Sequence, residues 1–264
     1  MSALRESKKD LWLYRPAPRQ QATVRLFCFP YAGVGAAVFR PWSAGLPARV
    51  DVCAVQLPGR TTRMSEPPIA SIPALVDGIV AAISPHLEIP FVFFGHSMGA
   101  VLAAEATREL ARRGAPLPHY LIVSARRPPH MPDPQSPLRN LSDTEFVGEV
   151  MRRFSAIPAE ILREKDLLAL LLPALRADIA ALETHRPPQQ AALPCPIIAF
   201  GGSDDVQTPK AHLEAWREET SSHFEVCDFP GGHFYLESAR IEVLAKVSEF
   251  LNKALKEAQP KSIA

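Results

Sequence analysis

Apolar residues in this chain fall in short continuous runs bounded by turn residues, and the stretches between the runs repeat their apolar positions at helical spacing. Buried strands are predicted over residues 25–30, 51–57, 91–94, 119–125, 196–200 and 224–229, each rich in Val, Ile, Leu, Phe or Cys. Ile72, Leu75, Val76, Ile79, Val80 and Ile83 predict a helix within 69–87, and Ala100 to Ala106 begin another that Gly114 ends. A third helix is expected from Pro209 to about Thr220. The last is expected to carry Leu236, Ile241, Val243, Leu244, Val247, Phe250, Leu251 and Leu255 on its core side. Strands that are apolar throughout, alternating with helices, predict an α/β fold: a parallel sheet covered on both faces.

The alternation breaks between Arg127 and Leu193, where no strand is legible. A proline-rich passage leads to a helix start at the capping box Ser142-Asp143-Thr144-Glu145, then to a pattern through Leu167, Leu168, Leu171, Leu172, Leu175, Ile179 and Leu182. An excursion of this length exceeds an ordinary crossover and predicts an inserted cap over the sheet's carboxyl edge, the alternative being extra packing helices. The expected division is therefore 22–127 as the first part of the core, 128–193 as a helical lid, and 194–258 as the second part of the core. Residues up to Gln21 are polar and punctuated by proline, and read as a loosely held arm with Trp12 and Tyr14 as anchors. The tail after Ala258 is polar.

Composition narrows the class. A chain of 264 residues, 47% apolar and 22% charged, has the size and make-up of one large globular domain. Its 29 basic and 28 acidic residues leave a formal charge of +1, so no net field favours nucleic acid or an anionic membrane as partner. The opening Met1 to Asp10 is charged, unlike a secretory signal, and no run reaches membrane-spanning length, so a cytoplasmic protein is expected. Cys28, Cys53, Cys195 and Cys227 are dispersed in predicted strands without metal-ligand spacing and read as buried free thiols.

The candidate chemistry sits where strands end. Phe91 to Phe94 stop at Gly95-His96-Ser97-Met98-Gly99, a Gly-x-Ser-x-Gly pentapeptide between a strand and a helix. That is the setting of a nucleophile elbow: glycines let strand and helix approach, and the strained serine keeps its hydroxyl exposed beside the helix's free N–H groups. A serine hydroxyl needs a base near pKa 7, and that base needs a carboxylate to orient it. His233 follows a strand through Pro230-Gly231-Gly232, whereas His86, His119, His130, His185, His212 and His223 read as surface or satisfied residues. His96 is expected to shape the elbow rather than act as base. Asp204 and Asp205, after Gly201-Gly202-Ser203, are both candidates for the acid. The order Ser, Asp, His is that of α/β-hydrolases. Oxyanion donors are expected from the Met98 N–H and from the loop after the first strand, where Ala32 is the leading candidate.

Six motifs in this order make the resemblance specific: Phe29-Pro30-Tyr31-Ala32-Gly33, Gln56-Leu57-Pro58-Gly59-Arg60, Gly95 to Ala100, Leu175-Arg176-Ala177-Asp178, Gly201 to Asp205, and Pro230-Gly231-Gly232-His233-Phe234. From about Leu26 to Leu251 the chain resembles type II thioesterases, the editing enzymes of polyketide and nonribosomal peptide synthetases. It departs from them at Val34, where relatives usually have glycine, and at Tyr31, where many have histidine. The resemblance implies an α/β-hydrolase with Ser97 as nucleophile, Asp205 as acid, His233 as base, and Met98 and Ala32 as oxyanion donors. It also implies hydrolysis of acyl groups from the phosphopantetheine arm of an acyl or peptidyl carrier protein, or from acyl-CoA, without metal or dissociable cofactor. Carrier proteins are acidic, which makes Arg60/Arg63 and Arg126/Arg127 candidates for a docking patch, the alternative being ordinary solvated arginines. The competing readings are a generic carboxylic esterase, an acyltransferase with the same Gly-His-Ser-x-Gly elbow, and a catalytically silent carrier-binding module.

Overall fold

The computed structural model describes residues 10–188 and 191–258, so the charged opening and the tail after Ala258 lie outside the described residues. Its strands are β1 Leu13–Tyr14, β2 Val24–Phe29, β3 Val50–Val55, β4 Phe91–His96, β5 Tyr120–Ser124, β6 Ile197–Gly202 and β7 Phe224–Phe229. Its helices are α1 Trp42–Gly45, α2 Ile72–Ile83, α3 Met98–Arg112, α4 Asp143–Phe154, α5 Ala159–Arg163, α6 Lys165–Thr184, α7 Lys210–Glu214, α8 Tyr235–Ser238 and α9 Arg240–Ala258. Together the strands form one sheet in the order β1-β3-β2-β4-β5-β6-β7, parallel except for the antiparallel edge pair β1 and β3. None of the helices among the described residues is long and apolar enough to cross a membrane.

Strand periodicity divides the core into two layers. Phe91 and Phe93 of β4 face one side with Phe27, Ile79 and Leu102, under α2 and α3. Val92 and Phe94 face the other with Leu26, Ile122 and Phe200, under Val247 and Phe250 of α9. Both faces of the central strands are buried, which is why they read as unbroken apolar runs. Between β5 and β6, α4 to α6 with the loops before and between them carry a smaller apolar cluster of their own: Leu138, Phe146, Val150, Ile157 and Leu172. The expected capping box is present, with Ser142 accepting from the Glu145 N–H and the Glu145 carboxylate accepting from the Ser142 N–H.

Several expectations need correction. The described part of the arm, residues 10–21, is not loosely held. Leu13 and Tyr14 pair with Val55 and Ala54, Arg15 bonds the buried Asp51 at 2.6 Å, and Trp12 lies 4.3 Å beneath the Arg63 guanidinium. The indole also occupies the space above Gly78 on α2, where a β-carbon would come within 2.3 Å of the ring. Ile241 is 82% exposed rather than on the core side, because the segment breaks at Ala239 into α8 and α9 and the register of the core stripe is reset. The helix expected from Pro209 to Thr220 is α7 followed by a 3-10 turn, Ala215–Glu219. Cys195 lies just before β6 and Cys227 is only half-buried, while all four thiols are free.

Removing the indole should therefore loosen the arm and expose part of α2. Trp12→Ala is expected to lower stability by about 2 kcal/mol, less than for a fully buried tryptophan. Urea denaturation monitored by circular dichroism checks this, and an unchanged midpoint would mean that the arm is held without the ring.

Candidate active site

The close approach of two backbones shapes the turn after β4. A β-carbon at Gly95 would stand 2.1 Å from the Gly99 carbonyl oxygen, and one at Gly99 would stand 2.0 Å from the Phe29 carbonyl oxygen. Only glycine fits at either position. Ser97 between them takes φ +53 and ψ −113, a conformation rare for a residue with a side chain, and its N–H is anchored to the Ser124 carbonyl at 2.8 Å. Met98 is then the first residue of α3, where backbone N–H groups have no partner within the helix. The same contact presses the end of β2 against the elbow, so the segment from Pro30 to Gly33 runs beside it.

β4, β6 and β7 run parallel with their carboxyl ends at one edge, and the loops that follow deliver Ser97, Asp205 and His233 to the same place. His233 Nδ1–H donates to Asp205 Oδ2 at 2.9 Å, which leaves Nε2 as the acceptor for the Ser97 hydroxyl at 3.1 Å. Burial alone would raise the Asp205 carboxyl. The hydrogen bond and charge of His233 and the bonds from the Gln207 N–H and Thr208 outweigh it, and hold the group below the usual carboxylate range. Asp204 instead is exposed and uses its N–H to bond the Gly231 carbonyl at 3.0 Å, closing the turn.

His96 lies behind this row rather than in it. It is fully buried, its ring 5.4 Å from that of His233, and its Nδ1 is bonded to Ser124 Oγ at 2.8 Å. Ser124 in turn bonds the buried Tyr235 hydroxyl. Burial, reinforced by the neighbouring His233, pushes His96 well below the ordinary histidine value, so the ring is neutral. His130 and His185 line the cavity above the site, where His130 bonds Glu219 at 2.5 Å and His185 lies 3.5 Å from Glu105.

The role of Asp178, quoted above only as part of a motif, and the placement of Phe154 were not legible in the sequence. Asp178 of α6 is fully buried and accepts the Gly33 N–H at 2.8 Å, while Arg60 reaches it with both terminal nitrogens. This ties α6 to the loop after β2. Phe154 at the end of α4 packs its ring 5.2 Å from that of His233. Of the docking patch expected at Arg60/Arg63 and Arg126/Arg127, the first pair is buried and the second is partly exposed at the wall of a cavity. Arg60 and Arg63 are 1% and 5% exposed and paired with Asp178 and Glu66, Arg127 pairs with Asp133 at 2.5 Å, and Arg126 lines a cavity. Long cationic side chains are drawn inside when a carboxylate and backbone carbonyls meet them there, and neither a solvated nor a docking role describes Arg60 and Arg63.

Because His96 is neutral when folded and an ordinary histidine when unfolded, below about pH 6.5 the unfolded chain binds the proton more readily. The stability it contributes is complete above that pH and is lost as pH falls toward the lowered folded value. Going from pH 7.5 to 5.5 should destabilise the wild type by about 1 kcal/mol more than His96→Gln. Urea midpoints at the two pH values measure this; equal losses would show that another group titrates.

Comparisons with known proteins identify the family. The chain matches the Thioesterase domain family over residues 24–254. It is 36% identical over 250 residues to the gramicidin S biosynthesis protein GrsT of Aneurinibacillus migulanus, covering 95% of this chain and 96% of that one. To the thioesterase PikA5 of Streptomyces venezuelae it is 39% identical, over 91% and 85% of the two chains. The structure of BorB, the type II thioesterase from the borrelidin biosynthetic cluster, superposes with a TM-score of 0.84 at 36% identity, covering 92% of this chain and 98% of that one. A family match across most of the chain, relatives of this similarity and a shared architecture establish that this protein belongs to the thioesterase family, as a type II thioesterase built on the α/β-hydrolase fold.

Proposed function

We propose that this thioesterase hydrolyses acyl groups held as thioesters on the phosphopantetheine arm of carrier proteins, in the cytoplasm, through an acyl-serine at Ser97. The observation that carries the reading is the continuous hydrogen-bonded row from the Ser97 hydroxyl through His233 to Asp205. Ser97 Oγ attacks the thioester carbonyl as its proton passes to His233 Nε2, and Asp205 stabilises the imidazolium that forms. Negative charge on the carbonyl oxygen is met by the N–H groups of Met98 and Ala32. Collapse of the tetrahedral intermediate breaks the carbon–sulfur bond, and the imidazolium returns its proton to the departing thiolate. Water, deprotonated by His233, then attacks the acyl-serine, releasing the free acid and restoring the hydroxyl.

Residues 128–193 serve in this reading as the lid, with 22–127 and 194–258 as the two parts of the core. Support comes from the contacts of the excursion with the site: Asp178 on the Gly33 N–H, Phe154 on His233, and a cavity of about 340 Å³ whose wall includes Phe154, Ile179, Leu182 and His233. A lid that excludes water around the developing charge strengthens each electrostatic contact with it. The names of the relatives, GrsT for gramicidin S biosynthesis and PikA5 as a thioesterase, support thioester hydrolysis within a biosynthetic pathway, where the substrate would be carrier-bound.

The two neighbouring aspartates separate by role. Asp205→Asn should lower kcat about 10³- to 10⁴-fold by disturbing the imidazole's tautomer, while Asp204→Asn should leave it within about twofold. Steady-state kinetics on one acyl thioester measures both, and a reversed order would reassign the acid. For the substrate, an acyl-carrier protein should be turned over faster than a simple ester of equal acyl length, and Ser97→Ala should abolish both. A simple ester turned over far faster than the carrier-bound thioester would point to a generic esterase.

A further inference from the structure

The loop after β2 would supply the second oxyanion donor, yet little of the sheet holds it. Among the described residues, one hydrogen bond ties the main chain of residues 30–34 to another part of the fold: the Gly33 N–H donates to Asp178 Oδ2 at 2.8 Å. The acceptor is a side chain of α6, in the helical excursion. Leu175, one turn earlier on the same face of α6, presses on the same residue, because a β-carbon at Gly33 would stand 3.0 Å from Leu175 Cδ1. Gly33 itself is held at φ +80, where a side chain would be strained.

The far end of the loop is fixed from the core instead. Gln56 Oε1 accepts the Ala36 N–H at 3.0 Å, and Gln56 Nε2 donates to the Arg60 carbonyl at 3.1 Å. Arg60 then closes the circuit, since both its terminal nitrogens reach the Asp178 carboxylate. This pairing has an electrostatic consequence. A bare carboxylate next to the oxyanion donors would repel the negative charge that develops on the reacting carbonyl oxygen, and the buried Arg60 guanidinium cancels it. The loop thus gains a strong acceptor for Gly33 without a net charge beside the site.

We propose that Asp178 is a positioning residue for the oxyanion hole. With α6 seated, its carboxylate holds Gly33 and through it aims the adjacent Ala32 N–H, so the hole is complete only while the helical excursion rests on the core. The assignment rests on the acyl-serine reading given above, with Ala32 as one of the donors. Seating of the excursion and stabilisation of the developing charge are then a single event, and an acyl thioester that keeps α6 away from Gly33 is bound without being cleaved.

Two double variants test it. Asp178→Leu with Arg60→Met removes both charges, so no buried charge is stranded, and leaves the Gly33 N–H without an acceptor. Asp178→Asn with Arg60→Gln also removes both charges but keeps an oxygen for that N–H. On butyryl-N-acetylcysteamine the first should lose kcat about 10²-fold with KM within about threefold of wild type, as a donor misplaced by about 1 Å would cause. The second should recover at least about tenfold of the loss. Equal kcat in the two double variants, or a loss confined to KM, overturns the proposal.

The other measurement needs no turnover. Butylboronic acid adds to Ser97 Oγ as the hydroxyl proton passes to His233, giving a tetrahedral anion with an oxygen where the oxyanion would lie, whereas butyrate stays planar. By calorimetry the first double variant should bind the boronate about tenfold or more weakly than wild type and butyrate about equally. Weakening of both alike, or of neither, overturns the proposal. Should the first double variant not fold, Asp178→Glu keeps the ion pair and moves the acceptor by one methylene. It should lose kcat and boronate affinity in the same way, and unchanged values there also overturn the proposal. Boronate that binds Ser97→Ala as tightly as wild type sinks the acyl-serine reading, and the proposal with it, a result distinct from any given by the Asp178 variants.

Discussion

No side chain can be placed at positions 95 or 99 without driving a β-carbon into backbone oxygen, and the site is built on that contact. Because β4 meets α3 with no intervening side chain, Ser97 is forced out of ordinary backbone conformations and its hydroxyl is carried to the carboxyl edge. The contact is also why β2 reaches the elbow. Its final carbonyl touches the space above Gly99, so the loop that follows β2 lies next to the free N–H of Met98. Candidate nucleophile and candidate oxyanion donors are therefore consequences of one steric fact, held in place by two glycines and a parallel strand pairing.

A second dependence runs through Asp178. An unpaired carboxylate buried on α6 would be costly, but this one receives the Gly33 N–H and the Arg60 fork. Such a group contributes specificity more than net stability, since desolvation offsets much of the attraction, while loss of either partner leaves a charge uncompensated. Its geometric effect is to fix one end of the helical excursion to the loop beside the elbow. The excursion's own apolar cluster keeps α4 to α6 together, and the ion pair sets where the cluster sits on the core.

Around His233 the surroundings are unequal. Behind it stand neutral, buried polar groups, His96, Ser124 and Tyr235, linked by hydrogen bonds. Asp205 holds the imidazole from one side, Phe154 covers it from another, and the cavity beyond carries arginines in excess of their acids. A neutral backing lets the imidazole gain and lose a proton without a competing charge on that side.

The strands, the elbow, and the loops bearing Ser97, Asp205 and His233 were legible in the sequence because each depends on a few consecutive residues. Runs such as Phe91 to Phe94 have no strand alternation only when both faces are buried, and glycines around a serine at a strand end have few other uses. Residue order alone left Asp204 and Asp205 equivalent, and a family likeness was needed to prefer one. The structure separates them because the turn sends one side chain to His233 and the other to solvent. The arginines were the largest misreading. Arg60 is buried by a carboxylate 118 positions away, and no local window contains that partner. Likewise the arm became an edge strand because β3 offered it an unpaired edge, and Ile241 turned outward because a break at Ala239 reset the helix. Local pattern determined which elements form and which of their ends carry chemistry. Tertiary structure alone decided which charges are buried and what faces the cavity, because the free energy of burying a charge depends on neighbours that only the folded chain assembles.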